Sequence, residues 1–469
     1  MEQFYTLVQN NAIAISAVVL ILAYVFIALE KIPKVTIALL GAAVVVFSGL
    51  VSQEKTAQIQ SVLESLGISE EIINKLPAEF LEKLQGNFLN EFYFINFVDF
   101  NVIFLLVSMM IIVNITTRCG VFKWMAIELL KMTKGKPLMV LITLAFLTAV
   151  LSAFLDNVTT VILIMPVTFV VAKQLDLNPV PLLVTEIFSS NIGGTATLIG
   201  DPPNIIIGSA AGFSFMDFIR ELTVICLVIM VAVIAFLYLC YKKQLVTTQE
   251  KMDSIQEIDN SKTITDYKLL KRSMTVLGLV ILGFLTHDIT HIATCIIAFI
   301  GASILLLFED PEETFKEVEW NTIFFFIGLF IIIGGFEAAG GIKLMADWLL
   351  KVTAGSQQIA SFVILWASGI LSGIIDNIPY TATMAPMIHE IELSQGRDFV
   401  LPLWWSLSLG ACLGGNLTII GAAANVIVSE NAAKFGHKIK FLEFMKYGCV
   451  VVFISLALSS LYIWIRHFM

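Results

Sequence analysis

Long apolar runs separated by short polar turns make up most of this chain. Many of the runs reach the ~17–25 residues that a helix needs to cross a bilayer. We therefore predict an all-α polytopic membrane protein whose immediate partner is the lipid bilayer. The predicted continuous helices lie at about 11–30, 35–51, 100–117, 216–241, 273–287, 291–308, 321–338 and 444–465.

Two of the apolar regions are interrupted by an Asp-Asn pair. Asp156-Asn157 lies within SAFLDNVTT, and Asp376-Asn377 lies within SGIIDNIPY. Non-helical backbone at membrane depth is tolerated only inside protein or beside a water-filled cavity. We therefore predict that each pair forms the tip of a re-entrant hairpin. The arms of the two hairpins lie at about 137–154 with 158–174, and at about 357–372 with 378–391.

Each hairpin is followed by a segment too rich in glycine and threonine to be one continuous helix. The first, SNIGGTATLIGDPPN, interrupts a helix at about 179–211, and we expect it to unwind at Gly193-Gly194. The second, GGNLTIIGAAAN, interrupts a helix at about 401–430, and we expect it to unwind at Gly414-Gly415. Broken helices of this kind expose backbone groups that bind ions in transporters.

An internal repeat relates the two halves of the chain. Asp376 follows Asp156 by 220 residues, and Asn101-Val-Ile-Phe recurs at the same offset as Asn321-Thr-Ile-Phe. GGTATLIGDPPN recurs as GGNLTIIGAAAN, one residue later in register. Each copy contains three helices, a hairpin, a broken helix and a last helix, which gives five crossings. An odd number of crossings inverts the second copy relative to the first, as in many secondary transporters.

The predicted architecture is two inverted-topology repeats, with about 10 spans plus two hairpins. The first repeat covers residues 1–241 and carries an external helical insert at about 53–92. A cytoplasmic connection follows at 242–272, and the second repeat covers 273–469. This orientation places 20 of the 28 Lys and Arg residues inside, as the positive-inside tendency requires.

Composition agrees with a membrane protein and excludes other classes. The chain is 58% hydrophobic and 14% charged, whereas soluble domains have about 25% charged residues. The net charge of −9 comes without a basic patch, so no nucleic-acid partner is expected. The six cysteines have no paired spacing, and we interpret them as core packing. No motif indicates an enzyme, and bound Na⁺ is the one cofactor considered.

The tip aspartates are the leading candidates for ion binding. A charged carboxylate near the bilayer centre costs ~2.5–3.5 kcal/mol on insertion scales, so it is retained there only with a partner or a function. We expect Asp156 and Asp376 to exchange protons or Na⁺, with capping of the following helices as the alternative interpretation. For Asn157 and Asn377, capping and ligand binding are equally open.

The broken helices add small oxygen ligands at Thr195, Thr197, Asn416 and Thr418. Backbone carbonyls with a carboxylate suit a hard cation such as Na⁺, whereas N–H groups at half-helix starts suit an anion. These residues therefore locate the site better than they identify its substrate.

The two copies differ at two carboxylates. Asp201 of the first copy corresponds to Ala422, and Glu186 corresponds to Leu407. Asp201 is either a proton or cation carrier or the N-cap of the resumed helix, with Pro202 at its first position. Glu186 is a further asymmetric candidate.

These motifs together resemble a known group of proteins. SAFLDNVTT, NIGGTATLIGDPPN, IDNIPYTATMAP and ACLGGNLTIIGAAANV are similar to motifs of the arsenite permease, NhaD-type and melanosomal P-protein group of the ion transporter superfamily. The resemblance runs from about Asp99 to the C-terminus. It implies the hairpin and broken-helix fold, a homodimer and elevator-like movement. It also implies two pseudo-symmetric ion sites, with Na⁺ at Asp156, Asn157, Thr197, Asp376, Asn377 and Thr418.

The expected function is secondary active transport of a small inorganic ion in the bacterial inner membrane, specifically Na⁺ or another cation against H⁺. The alternatives are a proton-coupled permease for arsenite or another oxyanion, and a passive anion channel. The predicted ion- and substrate-binding residues are Asp156, Asn157, Thr159, Asn191, Gly194, Thr195, Thr197, Asp201, Asn204, Asp376, Asn377, Thr381, Gly415, Asn416, Thr418 and Asn425.

Overall fold

The computed structural model describes residues 11–29, 31–48, 97–260 and 262–469, and within them the chain forms helices and no strands. The predicted all-α class is confirmed, whereas the predicted insert at about 53–92 lies outside the described residues. The helices are α1 (Ala12–Leu29), α2 (Lys34–Ser48), α3 (Phe100–Arg118), α4 (Val121–Met132), α5 (Pro137–Ser152), α6 (Asn157–Leu175), α7 (Val180–Thr195), α8 (Pro202–Ala211), α9 (Phe215–Tyr241), α10 (Gln249–Ser254), α11 (Tyr267–Leu285), α12 (His287–Thr290), α13 (Thr294–Leu306), α14 (Pro311–Lys316), α15 (Trp320–Ala338), α16 (Gly341–Val352), α17 (Gln357–Ile375), α18 (Asn377–Gln395), α19 (Arg397–Gly414), α20 (Ala423–Lys434) and α21 (Phe441–His467).

Many of these helices have the length and hydropathy of membrane segments. Seven with at least 18 residues qualify as spans, namely α1, α3, α6, α9, α15, α17 and α21, and three shorter apolar helices lie in α2, α5 and α13. With α11, α18 and two broken helices, α7–α8 and α19–α20, they match in number the ten expected spans and the four expected hairpin arms. The chain is therefore a multi-pass integral membrane protein.

One compact unit contains the described residues up to Ile103 together with Trp320–Leu349. In this unit α15 packs against α1 and α2. Gly328 permits the close approach of α15 to α2, because a Cβ atom there would lie 2.7 Å from the carbonyl carbon of Ala38. The Lys34 ammonium lies 5.1 Å from the centre of the Phe325 ring, which is a cation–π geometry.

The second compact unit contains Phe104–Glu319 and Leu350–Met469, and it holds both hairpins and both broken helices. The first arm of each hairpin packs on the first half of its own broken helix, α5 on α7 and α17 on α19. The second arms cross between the repeats, so that α6 packs on α20 and α18 packs on α8. The two repeats are therefore interlocked through their hairpins.

The first helix break begins later than predicted. Helix α7 continues through Gly193 and Gly194 and ends at Thr195. A Cβ atom at Gly193 would lie 2.1 Å from the Ala149 carbonyl oxygen, so this glycine serves close packing of α7 on α5 rather than unwinding. In the second repeat, Gly414 has the same relation to the backbone of α17 and is the last residue of α19.

Helices α11 and α19 begin several residues earlier than predicted. Helix α11 begins at Tyr267 because the Asp266 side chain accepts the backbone N–H groups of Lys268 and Leu269, at 2.7 and 3.0 Å. Helix α19 begins at Arg397, directly after Gly396, whose φ of 87° ends the preceding helix.

The connection between the repeats packs along one end of the first hairpin. We call residues 247–260 and 262–265 the strap, because side chains and backbone of this segment bond to α4 and to the ends of α3 and α6. Lys251 also forms a salt bridge with Asp176. The hydrogen bonds run from Thr247 Oγ1 to Leu175 O (2.5 Å), Gln256 Nε2 to Lys131 O (2.6 Å), Asn260 Nδ2 to Trp124 O (3.1 Å) and to Glu128 Oε1 (2.9 Å), and Thr265 N to Cys119 O (3.1 Å).

Candidate functional site

The two hairpin tips meet at the carboxylate of Asp201. This side chain is 0% exposed and lies at the start of α8. Asn157, the first residue of α6, donates from Nδ2 to Asp201 Oδ1 at 3.3 Å. Asn377, the first residue of α18, donates from Nδ2 to both carboxylate oxygens at 3.2 Å. One asymmetric carboxylate therefore accepts hydrogen bonds from both repeats.

Local sequence explains why Asp201 faces the tips instead of capping its own helix. An N-cap side chain normally accepts the N–H of the second or third helical residue. The second residue of α8 is Pro203, which has no N–H. The third is Asn204, whose N–H bonds to the backbone carbonyl of Asp201 at 2.9 Å. Asp201 holds the N-cap position, but its carboxylate makes no capping bond.

A series of asparagines continues from Asp201 into the second repeat. Asn157 Nδ2 also lies 3.4 Å from Asn191 Oδ1. Asn191 then donates from Nδ2 to Asn416 Oδ1 at 2.8 Å and to Asn425 Oδ1 at 3.0 Å. All four asparagines are buried. Because buried polar groups are costly unless paired, this network fixes the position of the hairpin tip relative to both broken helices.

Asn204 forms a second branch of the network. Its Oδ1 accepts from Ser408 Oγ at 2.6 Å and from Cys412 Sγ at 3.5 Å. Its Nδ2 donates to the carbonyl oxygens of Thr195 and Thr197 at 3.0 and 2.9 Å, which satisfies backbone groups at the end of α7.

Two members of this branch were missed by the sequence analysis. Cys412, which we interpreted as core packing, is buried among the site residues and lies beside Asp201. The signal that could have located it is the repeat, because Cys412 occupies the position equivalent to Asn191. Ser408 is equivalent to the apolar Ile187, so the sequence held no comparable signal for it.

Both tip aspartates cap helices. Asp156 Oδ1 accepts the Thr159 backbone N–H at 2.8 Å, and its Oδ2 accepts the Thr159 hydroxyl at 2.5 Å. Asp376 Oδ1 accepts the Ile378 N–H at 3.1 Å. The tips differ in backbone geometry, since Asp156 has a φ of −67° and Asp376 has a φ of 112°. The alternative interpretation of these aspartates as caps thus has direct geometric support.

The break threonines join the broken helices to the hairpin tips. Thr418 Oγ1 donates to Gly373 O at 2.6 Å, and Thr197 Oγ1 makes the equivalent bond to Ala153 O. Each hydroxyl also accepts a backbone N–H from across its break, at 3.2 Å. Asn425 completes the second break by donating to the Thr418 carbonyl at 2.9 Å.

The remaining predicted residues lie close to this network in the chain. The Thr195 hydroxyl bonds within its own helix, to Asn191 O at 2.7 Å. The carbonyl of Gly415 accepts Asn425 Nδ2 at 2.7 Å, and that of Gly194 lies 3.5 Å from Asn204 Nδ2. The buried Thr381 hydroxyl, one turn after Asn377, has no hydrogen-bond partner among the described residues.

The electrostatics of the site are dominated by Asp201. Within the described ranges, no Lys, Arg or His side chain bonds to Asp201, whose hydrogen-bond donors are the neutral amides of Asn157 and Asn377 and the thiol of Cys412. No cluster of three or more His, Cys, Asp or Glu side chains suited to a metal ion occurs in the described part of the chain. The carboxylate oxygens of Asp201 suit a proton or a hard cation.

Comparison with known proteins gives the family. The sequence model of a family described as citrate transporter matches residues 24–410. The uncharacterized transporter Mb2703 of Mycobacterium bovis is 38% identical over 457 residues, covering 97% of this chain and 98% of that protein. The P protein of Mus musculus is 32% identical over 455 residues, covering 80% of this chain and 54% of that protein.

A solved structure shares the fold. The YdaH transporter of Alcanivorax borkumensis, whose crystal structure is described as having an unusual topology, aligns with a TM-score of 0.54 at 14% identity. The alignment covers 83% of this chain and 90% of that chain. The resemblance to the P-protein group is confirmed, and the chain belongs to the citrate transporter family of the ion transporter superfamily.

Proposed function

We propose that this chain is a secondary active transporter of the bacterial inner membrane that exchanges a cation, most directly Na⁺, for a proton at Asp201. The observation that carries the proposal is the convergence of Asn157 and Asn377 on this fully buried carboxylate. The proposal moves the exchanging group from the tip aspartates to Asp201, because Asp156 and Asp376 cap helices.

The physical argument rests on the missing counter-charge. An ionised carboxylate in a low-dielectric site is strongly disfavoured unless it is paired. No basic side chain pairs with Asp201 in the described part of the chain, so the carboxylate binds either a proton or a cation. Occupancy by one excludes the other, and this exclusion is the requirement for coupled exchange.

The two tips supply a route to alternating access. Asn157 and Asn377 approach Asp201 from different repeats, so a movement that releases one amide leaves the other bonded. All residues of the site lie in one of the two compact units, which supports an elevator-type movement of that unit. The homodimer implied by the resemblance stays a prediction.

Carboxylate transport is the second candidate, and the citrate transporter description of the family model favours it. Two helix N-termini, those of α6 and α18, meet at the site, and such termini attract anions. Each is already capped by an aspartate, which opposes the binding of a carboxylate.

The test is flux in proteoliposomes under an imposed pH gradient, with Na⁺, K⁺, Li⁺, citrate and arsenite as substrates. We expect Na⁺ flux to depend on the pH gradient, and Asp201→Asn to reduce it by at least about 100-fold, as loss of a positioned proton carrier does. Asp156→Asn and Asp376→Asn are matched controls with smaller expected losses, because asparagine also caps helices.

The other outcomes overturn the proposal. Citrate or arsenite flux without Na⁺ flux would replace the cation as the substrate. Currents far above carrier turnover would indicate a passive channel. Asp201→Asn with normal pH-driven Na⁺ flux would remove Asp201 as the carrier.

A further inference from the structure

A second buried carboxylate lies outside the network around Asp201. Glu186, on α7, is 0% exposed. Its Oε1 contacts the hydroxyl of Thr168 on α6, while its Oε2 is buried and has no hydrogen-bond partner among the described residues. The equivalent residue of the second repeat is Leu407, so the fold does not require a carboxylate here.

No charged group neutralises Glu186. Helices α5, α6, α9, α19 and α20 pack against α7, and the Phe444 ring of α21 lies 5.0 Å from that of Phe188. Thr168 is the one polar contact that these helices provide to Glu186 in the described ranges. Helix α5 has no titratable side chain. The other five helices carry titratable side chains, none of which bonds to Glu186, namely Lys173, Asp217, Arg220, Glu221, Cys226, Tyr238, Cys240, Tyr241, Arg397, Asp398, Cys412, Glu430, Lys434, Glu443, Lys446, Tyr447, Cys449, Tyr462, Arg466 and His467.

Burial without a counter-charge favours a bound proton. A neutral carboxylic acid is far cheaper to bury than a carboxylate. An unpaired carboxylate oxygen at this depth is rare in native structures and calls for a functional explanation. The buried Glu186 side chain is therefore most stable in its neutral, protonated form.

Along α7, Glu186 lies between the N-terminal end of the helix and the residues of the Asp201 network. At a rise of 1.5 Å per residue, Glu186 lies about 9 Å from the start of α7 at Val180 and about 7.5 Å before Asn191. The exposed Asp176 lies just before α7 in the chain, next to the strap.

Small hydroxyl groups occupy the interval between Glu186 and the network. The Ser190 hydroxyl, one turn after Glu186, bonds to the carbonyl of Asn157 at 3.2 Å. Ser189 on α7 and Thr160 on α6 are buried, and their hydroxyls have no partner in the part of the chain that the structure describes. Along their own helices, Thr160 lies one turn after Asn157 and Ser189 lies three residues after Glu186, so both hydroxyls fall within this interval.

We propose that Glu186 is a second proton-binding site, through which Asp201 exchanges protons with the aqueous phase beyond the Asp176 end of α7. This inference rests on the proposed function. When a cation binds Asp201, the O–H bond of the protonated Glu186 breaks as its proton passes to water. The O–H bond of Asp201 then breaks as a new O–H bond forms on Glu186, so the neutral acid is restored, one proton is released in total and no other reactant is consumed.

Infrared difference spectroscopy of the purified protein tests proton binding without transport. Titration of the wild type in H₂O and D₂O is expected to show carboxylic acid C=O bands from both buried groups. Glu186→Gln is expected to remove one band, and Asp201→Asn a different one. A Glu186→Gln spectrum identical to that of the wild type overturns the inference.

Flux measurements separate proton transfer from a structural role. In Glu186→Gln, we expect pH-driven ²²Na⁺ flux to fall by at least about tenfold, while Na⁺/Na⁺ exchange, which needs no net proton movement, stays within about twofold. Glu186→Leu, which introduces the residue of the second repeat, is expected to behave the same way. Equal loss of both fluxes in these variants, with normal thermal stability, overturns the inference.

A matched control and a matched comparison complete the design. Thr168→Val removes the polar contact but keeps the carboxylate, so we expect it to retain most of the pH-driven flux. If pH-driven Na⁺ flux is lost in Asp201→Asn but not in Glu186→Gln, only the role of Glu186 is refuted. If this flux is lost in Glu186→Gln but not in Asp201→Asn, the proposed function at Asp201 is refuted, and Glu186 remains a proton-binding site.

Discussion

The two hairpins share one motif but are held differently at their outer ends. Gly135, at the turn between α4 and α5, has the strap against it, because a Cβ atom there would lie 2.4 Å from the Met252 carbonyl oxygen. Gly355, at the equivalent turn between α16 and α17, has no described atom within 4 Å of the same position. Their φ angles are nearly identical, 67° and 68°.

A second pair of glycines repeats the contrast. A Cβ atom at Gly120 would lie 2.0 Å from the carbonyl oxygen of Thr263 in the strap. At Gly340, with a similar φ of 85°, the nearest described atom would be Ile13 Cδ1 at 4.0 Å. The repeat thus preserves the turns, whereas the connection adds contacts to one copy only. The first hairpin therefore packs against the strap at its outer end, whereas the second is held there by other contacts, such as the hydrogen bonds from Gln357 Nε2 to the carbonyl oxygens of Asp398 and Phe399, at 2.8 and 3.0 Å.

The largest expected effect comes from Gly135→Ala compared with Gly355→Ala. Both variants place a side chain at positive φ, at a cost of about 1–2 kcal/mol. Gly135→Ala also forces the strap away, and overpacking typically adds about 1–3 kcal/mol. We expect Gly135→Ala to lower the thermal unfolding midpoint in detergent clearly more than Gly355→Ala, at one fixed scan rate. Equal shifts of the unfolding midpoint in the two variants would show that the strap does not constrain the turn at Gly135.

A smaller effect of opposite sign is expected at the hairpin tips. Asp376 has a φ of 112°, which glycine adopts without strain, so Asp376→Gly is expected to relieve about 1 kcal/mol or more of backbone strain. Replacing the cap by glycine costs only a few tenths of a kcal/mol. Asp156→Gly loses the same kind of cap at an ordinary φ of −67° and relieves nothing.

We therefore expect Asp376→Gly to raise the unfolding midpoint and Asp156→Gly to lower it. The measurement is the same detergent melt, with size-exclusion chromatography to confirm that each variant is folded. A fall of equal size in both variants would show that the second tip is not strained.

The smallest expected effect concerns the salt bridge between the strap and the first hairpin. Lys251 donates to Asp176 and holds the pKa of that carboxyl below its ordinary value, first by hydrogen bonding and then by charge. The stabilisation is fully present above the ordinary carboxyl pKa of about 3.9 and is lost as the pH falls through the lowered value. High salt also weakens it, because the pair is exposed.

Lys251→Met tests how much this salt bridge stabilises the protein. We expect a small loss of thermal stability at neutral pH that shrinks towards zero in acid and in high salt. Lys262→Met, in the same strap, is the matched control, since Lys262 forms no ion pair in the described ranges. A difference that persists in acid would assign the effect of Lys251 to packing instead.

Much of the fold was predictable because polar groups inside a membrane are expensive. Asp156-Asn157 and Asp376-Asn377 marked the hairpin tips, and the Gly-Thr segments marked the breaks to within a few residues. The exact start of the first break was not predictable, since the role of Gly193 depends on how closely α5 approaches α7.

The roles within the site were harder to predict than its location. Sequence left Asp201 open between capping and ion binding, and only tertiary structure shows Asn377 donating to it. The connection at 242–272 was predicted, but the packing of the strap against the first repeat was not. Several of its side chains, such as Gln256 and Asn260, bond to backbone carbonyls of α4, and those acceptors have no sequence signature.

The crossing of the second hairpin arms has a consequence for biosynthesis. Since α18 packs on α8 and α6 packs on α20, the first repeat leaves the ribosome before any of the helices that complete its site exist. Asp201 is therefore synthesised before its hydrogen-bond donor Asn377, which lies 176 residues further along the chain. A chain cut within the connection therefore yields two incomplete halves, and co-expression of both halves is required to rebuild the site.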